Sequence, residues 1–477
     1  MTSPEGRGRR LREGETELTS NPPILTIADT LAVPVKPADF PQTVLRFRND
    51  RAAAEVGLDG LSDENWTRHL GRFDPLPDNL PEPLALAYHG HQFRSYNPEI
   101  GDGRGFLFAQ LRDRRGRLMD LGTKGSGQTP FSRTGDGRLT LKGGVREVLA
   151  TELLEALGVP TSRSLSLIET GESLVRGDEP SPTRSSVLVR LSHSHIRFGS
   201  FQRLMAMDDE EGMQALLSYS CEHLVTEAGA EDPPGFLLAV TKRMAVQVAG
   251  MMAAGFVHGV LNTDNMNVTG ECFDYGPWRF LTTLDPQFTA AYFDHTGLYA
   301  FGRQPEAFYW NLAALAHALS LIGEEKALQE ALATFPDHYA DAFAAAVLRR
   351  LGIEEREPQE DHKLASDLFI FLHRTGLPFE RAFFDLFGGR AGADKRSRSP
   401  HAELYGAEDV VVRIDERSPL RPERLTHPVF ADEPQTLLLE EVESIWDAIA
   451  ERDDWKPFEN KIAAIRRYGE ALSPEAA

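Results

Sequence analysis

HGVLNTDNMNVTGECFDYG, residues 258 to 276, carries the set of polar and glycine positions that bears most on the fold. Phosphoryl-transfer enzymes present a loop of the form H-G/R-D-x-x-x-x-N, which supplies a proton acceptor and a metal-ligating amide. A D-F-G-type triplet follows it, and its aspartate meets the second metal position. Counted from His258, Asn265 falls in register for the amide, and Asp274-Tyr275-Gly276 takes the place of the triplet. The usual proton acceptor is replaced by Val260, which cannot take a proton. Asp264 is the only carboxylate between His258 and Asn265, and so the candidate to accept a proton from an incoming hydroxyl. Asn265 and Asp274 then form a pair of oxygen ligands suited to Mg2+ or Mn2+, hard ions that also bind phosphate oxygens. The competing reading is a turn between a helix and a short strand, its Asn and Asp side chains making local hydrogen bonds.

Upstream, from about residue 84 to 195, short apolar runs alternate with glycine-rich turns and read as a sheet. The strand-like runs are GFLFAQL (105 to 111), RLMDLGTK (117 to 124), SLSLIE (164 to 169) and SSVLVRLS (185 to 192). One helix interrupts them, LKGGVREVLATELLEALG, in which Val145, Leu149, Leu153 and Leu157 recur every four residues and Gly158 with Pro160 supplies a stop. Lys124 ends a strand and Glu147 lies on that helix, the relation between a kinase lysine that contacts phosphates and the glutamate that holds it. Taken singly, the two would read as exposed surface residues. The turns GDGRG (101 to 105), KGSG (124 to 127) and TGDGR (134 to 138) allow backbone N–H groups to approach phosphate, and in the plainer reading are hairpin tips. In VLVRLSHSHIRFGSF, Arg190 and Arg197 either hold a polyphosphate or pair with surface carboxylates. His89 with His91 and His193 with His195 lack a cysteine or third ligand in range, and read as structural rather than as zinc sites.

Downstream of about residue 209 the periodicity lengthens to helical runs at 237 to 255, 306 to 322, 325 to 350 and 433 to 452. The expected fold is therefore α+β, a protein-kinase-like arrangement of two lobes: a sheet-rich N-lobe with one key helix, then a mainly helical C-lobe. The boundaries expected are a disordered tail over 1–21, an N-terminal extension and nucleotide-binding lobe over 22–200, and a helical lobe over 201–477 carrying the loop and metal site. Residues 388 to 428, rich in charge, Gly and Pro, read as a loop or insertion with one short strand at VVVRI.

The chain has 477 residues, and its 72 acidic against 51 basic residues give a net charge of -21, which argues against a nucleic-acid partner. No run reaches the ~18 uninterrupted apolar residues of a membrane span, so no membrane partner is expected. Cys221 and Cys272 form neither a disulfide framework nor a CxxC metal motif, and the expected location is the cytoplasm.

Several motifs together resemble the selenoprotein O family, kinase-like proteins similar to protein adenylyltransferases. They are YHGHQF, IGDGRG, TKGSGQTPFSRTGDGR, VREVL, SHSHIRFGSF, GFVHGVLNTDNMNVTG, FDYGPWRF and RQPEAFYWNL, spread over roughly residues 85 to 315. The resemblance implies a pseudokinase-like scaffold that binds ATP in reversed orientation and transfers AMP, not phosphate, to Ser, Thr or Tyr hydroxyls of proteins. UMP transfer from UTP with Mn2+ is a variant it also implies. By matching motif, Lys124, Arg190 and Arg197 would hold the phosphates, with Glu147 orienting Lys124. Gly101, Gly103, Arg104, Asp136 and Gly137 would line the rest of the ATP site. Asp264 would be the proton acceptor, with Asn265 and Asp274 the ligands of Mg2+ or Mn2+ and Asp274 also at the ATP. One departure is Arg94, where the pattern calls for glycine. Two other readings stand beside this one: a conventional small-molecule or protein kinase, opposed by Val260, and a non-catalytic nucleotide-binding scaffold.

Overall fold

Strands that are apolar on both faces need cover on both faces, and the central strands here receive it from helices and from long N-terminal chain. The computed structural model describes residues 22–177, 179–406 and 408–473. The tail expected over 1–21 lies outside the described residues. The strands in chain order are β1 (Ala32–Pro34), β2 (Val44–Arg48), β3 (Leu84–Leu86), β4 (Gly90–Gln92), β5 (Ser95–Asn97) and β6 (Leu107–Arg112). They continue with β7 (Leu118–Lys124), β8 (Leu139–Thr140), β9 (Arg163–Leu174), β10 (Thr183–Ser192), β11 (Phe256–His258) and β12 (Trp278–Phe280). One antiparallel sheet runs β1-β3-β6-β7-β10-β9-β2, with β8 also pairing β10. The four strand-like runs of the sequence are β6, β7, β9 and β10, its middle. All seven residues of β7 are buried, which is why a polar run ending in Asp120, Thr123 and Lys124 must place each of those groups against a partner.

The helix Leu141–Ala156 starts where Thr140 accepts a hydrogen bond from the Gly143 amide at 3.1 Å, and ends ahead of Gly158, whose φ of +76° suits glycine. It lies across β9 and β10, and the C-terminal helix Lys456–Leu472 covers its other side. In the helical half, Pro233–Ala253 is the central element, packed by Gln304–Leu319, Glu325–Ala333 and Phe335–Leu351. By length and composition that helix could cross a membrane, but 78% of its most apolar window is buried inside this protein. The hairpins β4–β5 and β11–β12 stand apart from the main sheet and hold the loop that matters.

Two expectations are corrected. The run expected as one helix over 325 to 350 is two, Glu325–Ala333 and Phe335–Leu351, because Pro336 in the first turn of the second has no N–H to carry a helix through. VVVRI is not a strand but the helix Asp409–Asp415, which buries Val410, Val411 and Ile414 at helical spacing. Packing overrides the β preference of its valines. The 388 to 428 segment holds short helical turns, and some of its charge is turned inward: Arg396 meets Asp415 and Arg417 meets Asp361, each at 2.6 Å.

Candidate active site

β11 and β12 pair antiparallel, His258 opposite Trp278, so residues 259 to 277 form one long closed loop. Each anchor of that loop is a side chain satisfying a backbone group. The buried His258 ring accepts from the Val260 amide through Nδ1 at 3.2 Å and faces the Phe273 carbonyl through Nε2 at 3.3 Å. Burial pushes its pKa down to about 4, so a neutral imidazole ties the start of the loop to the residue before Asp274. Asn311 donates to the Leu261 carbonyl at 2.8 Å, and Asn265 Nδ2 donates to the Val260 carbonyl at 2.9 Å. Thr263 Oγ1 accepts from the His91 amide at 2.7 Å, and Asn262 Oδ1 accepts from the Phe93 amide at 2.9 Å and from the Tyr299 hydroxyl at 2.8 Å. The loop is thereby bolted to the β4–β5 hairpin.

Asp274, held at φ +62°, carries the centre of the charge network. Its Oδ1 lies 2.6 Å from Lys124 Nζ and 3.5 Å from Arg190 Nη1. Burial works against its charge, yet Lys124, Arg190, Arg104 and Arg197 together hold its carboxyl well below the usual carboxylate range. Lys124 is buried and also pairs with Glu147 on the Leu141–Ala156 helix. Arg197, buried, donates from Nη1 to Asp102 Oδ1 at 2.7 Å and stacks over the Tyr88 and Phe273 rings at 4.3 and 5.1 Å. Arg190 is buried as well, and its Nε has no hydrogen-bond partner among the described residues. A buried guanidinium left in this state is suited to a polyanion. The surface-pair reading of both arginines fails on their burial.

These groups open onto a cleft of about 640 Å3 between the sheet and the loop, a volume that fits a nucleotide. Gly101, Gly103, Arg104, Lys124, Asp136, Gly137, Arg190, Arg197, Asp264 and Asp274 all line it. Glu147 stands behind Lys124. Asn265 does not line the cleft; it sits next to Asp264 with its amide nitrogen engaged, leaving Oδ1 as the atom suited to a cation. Asp264 Oδ1 is buried with no hydrogen-bond partner among the described residues, and burial pushes this carboxyl up to about 6 against the opposing pull of Arg197. Asp136 lies at the outer wall, clamped by Arg176 at 2.8 and 3.0 Å. Gly101 and Gly103 pass so close to Phe131 that a Cβ would meet its ring at 2.4 Å and its carbonyl at 2.9 Å.

Several residues of the site were not singled out from sequence. Asp102 positions Arg197, Tyr88 supplies the ring under it, and Arg176 reaches Asp136 from the β9–β10 turn. Asp102 and Tyr88 stood inside quoted motifs, but nothing in their spacing marked them. The histidines serve the framework, as expected: His193 Nδ1 meets the Leu118 carbonyl at 2.7 Å and His195 sits on Asp120.

Among the described residues no group of three or more His, Cys, Asp or Glu is arranged to hold a metal. A hard ion that takes one or two protein oxygens and completes its shell with phosphate and water needs no such group, and Asn265 Oδ1 and the Asp274 carboxylate are oxygens of the type it takes. The orphaned Asp264 Oδ1 and the anionic Asp274 on the cleft wall agree with that.

Comparison with known proteins assigns the chain to a family. The family described as Protein adenylyltransferase SelO matches residues 15–466. A protein named protein nucleotidyltransferase YdiU from Synechocystis sp. is 43% identical over 473 residues, 94% of this chain and 98% of its own length. One of the same name from Synechococcus elongatus is 42% identical and covers 96% of each chain. Another, from Vibrio cholerae, is 36% identical over 74% of this chain and 71% of its own length. The chain is therefore an enzyme belonging to the protein adenylyltransferase SelO family.

Proposed function

We propose that the chain performs its family's nucleotidyl transfer in this cleft, moving AMP from ATP to a Ser, Thr or Tyr hydroxyl of another protein. The observation that carries the reading is the buried, unpartnered Asp264 Oδ1 on the cleft wall, in the same loop whose usual base position is Val260. The two halves are read as the lobes of a kinase-like fold. The sheet with the Leu141–Ala156 helix would form the nucleotide-binding lobe over 22–200, and the helices the second lobe from 201 onward. The Lys124–Glu147 pair and the loop bolted between the halves support this.

In the reaction, the acceptor hydroxyl attacks the α-phosphorus, and the bond from that phosphorus to the β-bridging oxygen breaks. Pyrophosphate leaves with the electron pair. Asp264 takes the hydroxyl proton, its carboxyl being tuned close to neutrality. Lys124, Arg190 and Arg197 bind the β- and γ-phosphates and so stabilise the departing pyrophosphate. Glu147 shares the Lys124 ammonium with Asp274 and so fixes its position on the cleft wall. Asn265 and Asp274 would hold Mg2+ or Mn2+, which when bound supplies charge neutralisation at the phosphates. UTP with Mn2+ is the variant substrate pair, and the cytoplasm suits the two free, buried cysteines. Intact-mass measurement of an acceptor protein after incubation with ATP or UTP, and with each metal, tests the reading. A gain of one nucleoside monophosphate is expected; a gain of one phosphate overturns it.

A further inference from the structure

Beyond Gln92, which lines the cleft, the protein exposes three aromatic rings in a row. Tyr292 is 81% exposed, Phe293 40% and Phe93 36%. Tyr292 and Phe293 lie 5.1 Å apart by ring centre, Phe293 and Phe93 5.8 Å, and Phe93 then meets the buried Tyr299 at 5.1 Å. Apolar surface left in contact with water by one compact group of large rings marks a site of contact with another molecule.

The rings are held in place rather than hung on slack loops. Phe93 sits at φ +50° and Arg94 at +63°, conformations that cost a side-chain-bearing residue of order 1 kcal/mol each. The Phe93 amide is fixed by Asn262 Oδ1, which Tyr299 also holds. Arg94 is drawn aside to Glu306 at 3.0 Å and over the Trp310 ring at 5.5 Å. The turn bearing Tyr292 and Phe293 is closed by the buried Asp294, whose carboxylate accepts from the Leu298 amide at 2.9 Å and the Tyr299 amide at 2.8 Å. Asn262, two positions before Asp264, thus couples the patch to the loop. Gln92, the neighbour of Phe93, already lines the cleft.

We propose that Phe93, Tyr292 and Phe293 form the docking platform for the acceptor protein, taking an apolar or aromatic side chain that flanks the hydroxyl to be modified. This rests on the proposed transfer to protein hydroxyls. An acceptor hydroxyl delivered to Asp264 must bring its neighbouring residues over whatever surface continues from the cleft, and here that surface is aromatic. Arg94 and Arg303 both pair with Glu306, and Arg94 lies over the Trp310 ring, so these cations are engaged to the side of the platform and its rings select for an apolar flank.

The test uses the whole chain with metal, α-labelled ATP and peptides carrying one Ser, Thr or Tyr flanked by Leu and Phe, by Gly, or by Glu. Wild type should favour the apolar-flanked peptides roughly tenfold in kcat/KM, mainly through KM. Phe93→Gly suits the positive φ while removing the ring, and Tyr292→Ala alters a mostly exposed side chain. Both variants should lose the preference while keeping the ATP-induced rise in Tm. Tyr292→Phe, which keeps the ring and lacks the hydroxyl, should retain it. Equal transfer to all three peptide classes, or variants whose preference equals that of wild type, overturns the platform while leaving the transfer reading standing. Absence of label in every peptide and in folded acceptor proteins defeats the transfer reading and the platform with it.

Discussion

Val260 and Asp264 are four positions apart on one loop, and the proposed chemistry turns on which of them bears a carboxylate. That much is legible in sequence, because register alone places valine where a base should stand. What sequence could not show is the setting that makes Asp264 usable: its buried, unpartnered Oδ1 and a carboxyl pushed up to about 6. Asp264→Asn should lower the transfer rate by roughly 10²- to 10⁴-fold, with ATP binding by thermal shift retained; loss of binding instead would assign it to the nucleotide. His258 offers a separate test. Its folded-state pKa is near 4, lowered by burial, so the unfolded chain takes up a proton first as pH falls through its ordinary value of about 6.5. Stability from this group is full above that pH and declines between there and about pH 4, by roughly 3 kcal/mol in all. Urea unfolding at several pH values should show this slope in wild type and lose it in His258→Asn, whatever that variant costs in stability near neutral pH.

At the scale of elements, the central strands and the Leu141–Ala156 helix were legible because their apolar positions keep one period over several turns or residues. β1, β3, β4 and β5, each three residues long, carry too few positions to show a period. The Asp409–Asp415 helix was misread because Val410, Val411 and Ile414 pack inward, with Val412 left exposed, against a helical framework that local sequence does not contain. The Lys124–Glu147 pair was recognisable only through the motif; alone, neither residue announces burial. Glu147→Gln should leave Lys124 paired with Asp274 alone, and ATP affinity should fall about tenfold or more by calorimetry, with a stability loss of up to ~3–5 kcal/mol for a broken buried pair. The glycine turns make a second element-level prediction. Gly137 has φ +69°, and a Cβ there would lie 2.2 Å from the Gly127 backbone. Gly137→Ala should therefore weaken ATP binding and cost about 1–3 kcal/mol of stability, both readable in a thermal-shift titration.

Over the whole molecule, a net charge of -21 surrounds a cleft lined by seven basic and four acidic side chains. Strands contribute Lys124 and Arg190, the turns between strands contribute Arg104, Arg133, Arg138 and Arg176, and the long loop brings Asp264 and Asp274 to meet them. Such a local reversal of field concentrates a polyphosphate where its charge is needed. Raising salt from about 0.05 to about 0.5 M should increase the KM for ATP several-fold while moving kcat less, because screening acts on approach more than on buried contacts. The composition alone pointed away from nucleic acid and said nothing of this reversal, which depends on residues far apart in the chain. The central claim is that this loop transfers the nucleotidyl group and not the terminal phosphate. The most direct measurement incubates the protein, metal and an acceptor protein with ATP labelled at the α- or the γ-phosphate. Label from the α-position alone, lost in Asp264→Ala and Asp274→Ala, is the expected result, and label from the γ-position would contradict it.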